Sequence, residues 1–535
     1  MQTVSDDDLT MTPSDIEEQR IKLGAPSPAV VIDDKLQQIA DETQNNETLH
    51  QIESTVDLKL SPFREILFIS VVCLAQFMAQ AALGQGVTIL HVIGDHYNIT
   101  NPGILAWFVA GYSLTVSTFI LLSGRLGDVF GYKLLFVIGF IWFAVWSAVA
   151  GLAVYSNSVL FIFARVFQGI GPSICLPNGL ALLGASFPPG MKKNLSFAAF
   201  GASAPVGSII GSAFAGLFAL SWWPYTFFSF AIALFVIAIV SIYAIPTLPR
   251  RIKPASTARG LLAQLDVLGG LIGVTALVLF NFAWNQAGIV GWNRPEIITC
   301  LILGVASTML FFYFEVRVAT NPLIPFQIFT SDVSFVCACI ACGWGAFGIW
   351  YYYAWQFMEV IKGGSPLLAV AWVTPVAISG ACASVGTGLL LGVLPPAWIM
   401  TIALTVFLVG SIILATTPPD QVYWGQLFVI SVVMPWGMDM SFPAGTIILS
   451  NAVKKEDQGV AASLINTIVN YSISLALGFA GTIEVHTNDG GHNKAQVLKG
   501  IRSAEYMAIG LSGLGVLLSL VFVAKTYSKT TLGEA

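Results

Sequence analysis

Two ionisable side chains, Arg165 and Asp439, stand inside long apolar runs of this sequence. Either could do chemistry that the surrounding Leu, Val and Phe cannot. An arginine at the centre of a membrane helix costs roughly 2.5 kcal/mol or more on insertion scales, so Arg165 has to face a bundle interior or a wet cavity. Gln168 follows three positions on and shares its helical face. Arg165 and Gln168 read either as part of a transport path or as a positioning contact to a carboxylate or to carbonyls. Asp439 is the complementary case, an acid deep in its run that can bind and release a proton as its surroundings alternate. It could equally form a fixed pair with Arg165 or cap a helix break at Trp436 and Gly437. No other Asp or Glu is placed as deep by sequence, because Asp266, Glu315, Glu359 and Glu484 fall at the ends of apolar runs.

Neutral polar side chains form a second set. Gln80 and Gln85 lie in the first apolar run, Asn466 and Asn470 in a late one. They offer donors and acceptors to an uncharged hydroxylated or azole solute, or they are interhelical hydrogen bonds of about 0.6 kcal/mol each. The aromatic run from Trp350 to Trp355, with Tyr353 and Gln356, ends another apolar stretch; it reads as an interfacial belt or as the lining of an outer mouth. Catalysis finds no footing: there is no nucleotide loop, and no nucleophile–base set. The C-A-C-I-A-C cluster from Cys337 to Cys342 has no adjacent His or carboxylate and reads as helix packing rather than a metal site. No cofactor and no nucleic acid are expected.

What must position these groups is a membrane bundle. With 56% hydrophobic and only 10% charged residues over 535, and a mean hydropathy of +0.78, the chain is expected to be an all-α polytopic membrane protein. The net charge of -5 says little about partners, since much of the acid lies in the polar first 62 residues, expected to be a disordered tail. From Ile66 onward the sequence holds fourteen apolar runs. Most Lys and Arg, among them Arg125, Lys133, Lys192, Lys193, Lys454 and Lys455, fall in alternate loops on the side of the N-terminal tail, which places both termini in the cytoplasm. Aligning Lys192-Lys193 with Lys454-Lys455 superposes runs 1 to 6 on runs 9 to 14 and leaves runs 7 and 8 inserted between. The expected organisation is therefore a tail (1–62), a six-helix half (63–247), an inserted pair with its loops (248–332), a second six-helix half (333–525) and a short C-terminal tail (526–535).

Between the second and third runs stands G-R-L-G-D-x-x-G-x-K, with Gly124, Arg125, Asp128, Gly131 and Lys133. Its charge belongs at the membrane surface, where Asp128 can meet the N-terminus of the next helix and an arginine. The pattern resembles the signature loop of the major facilitator superfamily, with Val129 and Tyr132 where basic residues are usual. Trp107, Tyr112, Leu114 and Thr115 resemble the W-x4-Y-x-L-T of its fourteen-helix drug:proton antiporters, and Arg165, Gln168, Gly169 and Gly171 their R-x-x-Q-G-x-G. Gly201, Pro205 and Gly207 are similar to the antiporter motif, with Ala204 replacing its second glycine, and Asp266 also fits. Asp439 to Gly445 (D-M-S-F-P-A-G), with Ile447 to Asn451 and Asn470 to Ser474, resembles the fungal aminotriazole-resistance and boron-exporter branch. The resemblance implies a major facilitator fold and a monomeric plasma-membrane exporter of small toxic solutes, working by alternating access in the lipid bilayer and driven by protons. Gly124, Arg125, Asp128, Gly131 and Lys133 would form a cytoplasmic gate. Relatives carry an acid in the first run where this chain has Gln80, which leaves Asp439 as the proton carrier. A vacuolar importer, an uncoupled facilitator and a non-transporting solute sensor stand as alternatives.

Overall fold

Small polar residues followed by proline open several membrane helices of this protein. Ser61 before Pro62 and Asn101 before Pro102 each accept a backbone N–H of the first turn, and Ser365 before Pro366 does the same. Proline suits the first turn because its missing N–H would be unsatisfied there anyway. The computed structural model describes residues 60–187, 191–249, 252, 254–324, 329–452 and 458–531. Among them fourteen helices are long and apolar enough to cross a membrane. They are α1 (Pro62–Thr88), α2 (Pro102–Phe130), α3 (Tyr132–Tyr155), α4 (Ser158–Ser186), α5 (Leu195–Ala219), α6 (Pro224–Ala244) and α7 (Val267–Val290). After these come α8 (Pro295–Arg317), α9 (Ser331–Ile361), α10 (Pro366–Leu391), α11 (Pro396–Thr416), α12 (Gln426–Leu449), α13 (Ser463–Thr487) and α14 (Lys494–Tyr527). Residues 1–59 of the expected tail, the basic residues Arg250, Arg251, Lys253, Lys454 and Lys455, and the end of the C-terminal tail lie outside the described residues.

The packing partners repeat. In the first half α1 packs on α5 and α3 on α6; in the second, α9 packs on α13 and α11 on α14. The halves meet along two seams, α2 against α13 and α5 against α10, as a two-fold relation between six-helix repeats requires. The inserted α7 and α8 pack on each other, and α7 leans on α13 and α2. Ser474 on α13 ties that corner, donating to the Ala110 carbonyl of α2 and to Asn281 Oδ1 of α7 at 2.9 and 3.2 Å. Small residues let α1 and α5 close: a Cβ at Gly207 would stand 2.3 Å from the Phe77 carbonyl oxygen, so backbone meets backbone there.

Two boundaries differ most from the sequence reading. Residues 124–130 continue α2 instead of forming a loop, and the chain reverses at Gly131, whose φ of +100° is open to glycine and strained for other residues. At the other end of the molecule α14 starts at Lys494, ahead of the last apolar run, which the sequence places from about 503, and this carries Glu505 more than two turns into a helix.

Candidate functional site

Between the halves lies a cavity of about 1500 Å³. Its walls come from both repeats: Gln76 and Gln80 on α1, Ser208 on α5, Tyr351 on α9, Asp439 on α12 and Asn470 on α13. It reaches Gly124, Arg125, Asp128 and Tyr132, so it extends to the end of the bundle where α2 turns into α3. At the opposite end the halves touch: His91, after α1, hydrogen-bonds Gln356 of α9, and Gly216 of α5 abuts Leu367 of α10.

Asp439 stands in this wall, half-buried, with the Ser384 hydroxyl of α10 hydrogen-bonded to its carboxyl. Three helices converge on it because Gly380 has no side chain: a Cβ there would lie 3.2 Å from Asp439 Oδ2 and 3.4 Å from Pro205 of α5. Pro205 of the antiporter-like motif therefore closes the α5–α10 seam beside the acid. Gly201 lines the cavity as well, whereas Gly207 faces α1. Asn466 and Asn470 are both on the wall, and Asn470 Nδ2 donates to the Asn466 carbonyl at 3.0 Å. Gln76, four residues before Gln80, was not singled out from sequence, although the helical period puts the two on one face.

Arg165 is not on the wall. It is fully buried one layer behind, where Nε donates to the Phe108 carbonyl of α2 at 3.0 Å and Nη2 to the Ala82 carbonyl of α1 at 2.9 Å. Nη1 donates to Gln168 Oε1, and Gln168 Nε2 continues to Ser147 Oγ of α3 at 2.7 Å. The guanidinium carbon lies 4.8 Å from the centre of the Tyr112 ring. Arg165 and Gln168, expected in the transport path or in a positioning contact, here tie four helices together and spend the charge on backbone oxygens. Gln85 is likewise buried off the wall. Tyr353 and Gln356, expected in the path, stand outside the cavity; Tyr353 donates to Glu484 Oε2 at 2.8 Å and Gln356 meets His91. Their helical neighbours Trp350, Tyr351 and Trp355 are the ones that line it, since a run of consecutive residues on a helix cannot all face one way.

The signature segment grips the link between the first half and the insertion. Lys133 Nζ donates to the Ile245 carbonyl at 2.7 Å, Arg125 Nε to the Gln264 carbonyl at 3.3 Å, and the Ile252 N–H to the Asp128 carbonyl at 3.1 Å. The Asp128 carboxyl accepts from Tyr132, the residue found where a basic one is usual, at 2.6 Å. Other acids are buried within the bundle: Glu505 of α14 fully, and Glu484, in the last turn of α13, nearly so.

A model of the Major Facilitator Superfamily matches residues 70–478. The low affinity ammonium transporter of Saccharomyces cerevisiae is 52% identical over 87% of this chain and 89% of its own length. The efflux pump terJ of Aspergillus terreus is 45% identical over 94% of this chain and 96% of its own. For the aminotriazole resistance protein of Saccharomyces cerevisiae the identity is 35%, over 87% and 85%. Among solved structures, the peptide transporter POT in complex with sulfate superposes with a TM-score of 0.60 at 13% identity, covering 86% of this chain and 94% of that one, a likeness of fold alone.

Proposed function

This chain belongs to the major facilitator superfamily and is a multi-pass membrane transporter, and from that premise we propose that it exports small toxic solutes by alternating access, driven by protons. The observation that carries the reading is the cavity itself. At about 1500 Å³ it exceeds the roughly 300–1,000 Å³ of ordinary small-molecule sites, so it holds a drug-sized solute together with water. Its only charged wall residues among those described are Arg125 and Asp128 at the mouth and Asp439 deep inside. Aromatic side chains such as Phe347 and Trp350 face neutral donors and acceptors at Gln76, Gln80, Asn466 and Asn470. That chemistry suits amphipathic azole-like, hydroxylated or weakly basic compounds, the aminotriazole and borate classes included. Resistance and efflux relatives support the direction. In this reading Asp439 carries the proton, Gly124, Arg125, Asp128, Gly131 and Lys133 form the cytoplasmic gate, and the monomer sits in the plasma membrane with both termini inside.

The test is tracer flux of aminotriazole, borate and an azole into inside-out vesicles, with and without an imposed pH gradient. Accumulation that needs the gradient supports the reading. Flux of all three that ignores it leaves an uncoupled facilitator. A second reading, uptake of a small cation, is favoured by the 52% identical ammonium transporter and by a deep carboxylate with no fixed cation on the cavity wall near it. Ammonium-dependent growth of a strain lacking its own ammonium transporters, with no change in its resistance to toxicants, would replace the first reading by the second.

A further inference from the structure

The inserted helices hold a pair of acids that the transport cavity does not use. Asp266 precedes α7 as its N-cap, in the left-handed region at φ +47°, and its Oδ1 accepts the Gly269 N–H at 3.2 Å. Glu315, in the last turn of α8, accepts the Ile324 N–H on Oε2 at 3.4 Å. Both residues are more than nine-tenths buried, at 5% and 3% exposure. Each keeps one carboxyl oxygen, Asp266 Oδ2 and Glu315 Oε1, buried without any donor, and the two carboxyls lie near enough to act on each other directly.

Two ionised carboxylates can only accept, so they cannot bond to one another. A single proton between them satisfies both orphaned oxygens and removes the repulsion of two like charges in a buried site. Asp266 is the charged group that acts on Glu315 among the described residues. The charges on neighbouring elements are turned elsewhere: Arg125 of α2 holds the Gln264 carbonyl, the Asp128 carboxyl takes the Tyr132 hydroxyl, and at the start of α9 Asp332 pairs with Lys525. Arg259, before α7, and Arg317, at the end of α8, are exposed.

We propose that Asp266 and Glu315 form a proton-binding site in the inserted pair and that its proton fastens the segment Pro322–Ile324 at the cavity mouth. Pro322 and Leu323 line the cavity next to Leu121 of α2, and Leu323 and Ile324 pack with Leu464 of α13 against Leu122 and Cys337. The segment therefore touches both halves at the end where the cavity reaches the signature segment, and Glu315 holds it by the Ile324 N–H. With the proton bound, Glu315 stays seated. As the pH on that side rises the proton leaves, the carboxylates repel, and the segment is released from the α2–α13 seam. The site responds to pH on the loop side whatever solute is carried and whether or not Asp439 couples transport.

Cys337 reports the segment in the intact protein. Its labelling by a membrane-permeant maleimide, read by peptide mass spectrometry against the exposed Cys382 as internal reference, should rise several-fold from acid to alkaline pH in wild type. In Glu315→Gln and in Asp266→Asn, where an amide keeps the contact without the second charge, the ratio should stay at the wild-type acid level throughout. A wild-type ratio that does not change with pH, or one that changes equally in both variants, overturns the proposal. Should Glu315→Gln fail to fold, Asp266→Asn and an infrared titration of the full-length protein decide. A protonated-carboxyl stretch that titrates in wild type and is lost from Asp266→Asn is expected, and its absence from wild type refutes the shared proton.

Discussion

Helices α4 and α12 occupy matching places in the two halves, and each carries one deep charge, yet the two charges are treated in opposite ways. Arg165 on α4 is sealed behind the cavity wall with its donors spent on Phe108, Ala82 and Gln168. Asp439 on α12 faces the cavity with a single hydroxyl partner, Ser384. A membrane charge is tolerated in either circumstance, by protein carbonyls or by a wet cavity. Depth alone therefore does not tell a functional group from a structural one; the partners do.

The largest effect that could break this contrast is expected from Arg165→Ala. It strips Gln168 Oε1 and two carbonyls of a charged donor and opens a void among α1, α2 and α4, at a cost of about 3 kcal/mol or more. The folded protein should be largely lost, seen as low yield and early thermal unfolding in detergent. A well-folded variant that has merely stopped transporting would return Arg165 to the solute path. Next comes Asp439→Asn, whose unfolding should match wild type while accumulation driven by a pH gradient disappears and downhill exchange persists. If that variant still concentrates solute against its gradient, the coupling proton travels elsewhere. Smaller again is Gln168→Leu, which cuts the link from Arg165 to Ser147 and should lower stability by about 2 kcal/mol with the transport rate of the surviving protein unchanged. A transport defect at full stability would erase the difference between the helices. The smallest change is expected of Gly380→Ala, whose methyl would sit 3.2 Å from Asp439 Oδ2 and 3.4 Å from Pro205. A few-fold loss of gradient-driven flux with normal unfolding would confirm that crowding the acid alone is felt, and unaltered flux would show the seam there to be slack.

Periodicity and hydropathy reveal the helices of this chain because lipid demands long apolar runs, and their positions carry over to the structure with shifts at ends such as Phe130 and Lys494. Facing is harder to read. Nothing near Arg165 in sequence announces that carbonyls from α1 and α2 will meet it, since Ala82 and Phe108 belong to other helices. Polar residues at helical spacing, Gln76 with Gln80 and Asn466 with Asn470, do land together on the wall, because the period is local. Glu505 is hidden behind Lys494, Lys499 and Arg502, which make the start of its helix look like a loop. Asp266 and Glu315 are ordinary at the ends of two apolar runs, and only the packing of α7 on α8 brings them together.

Of the two seams between the halves, α2–α13 is flanked by α7, and α8 beyond it is mostly exposed, so this pair paves one flank of the transporter. The α5–α10 seam has no such cover from the inserted pair. Along it Gly201 and Gly388 line the cavity, and a Cβ built on either meets nothing within 4 Å. Oily compounds concentrate in the leaflets before they reach any protein. For them the molecule has one flank that the inserted pair covers and one that it leaves uncovered.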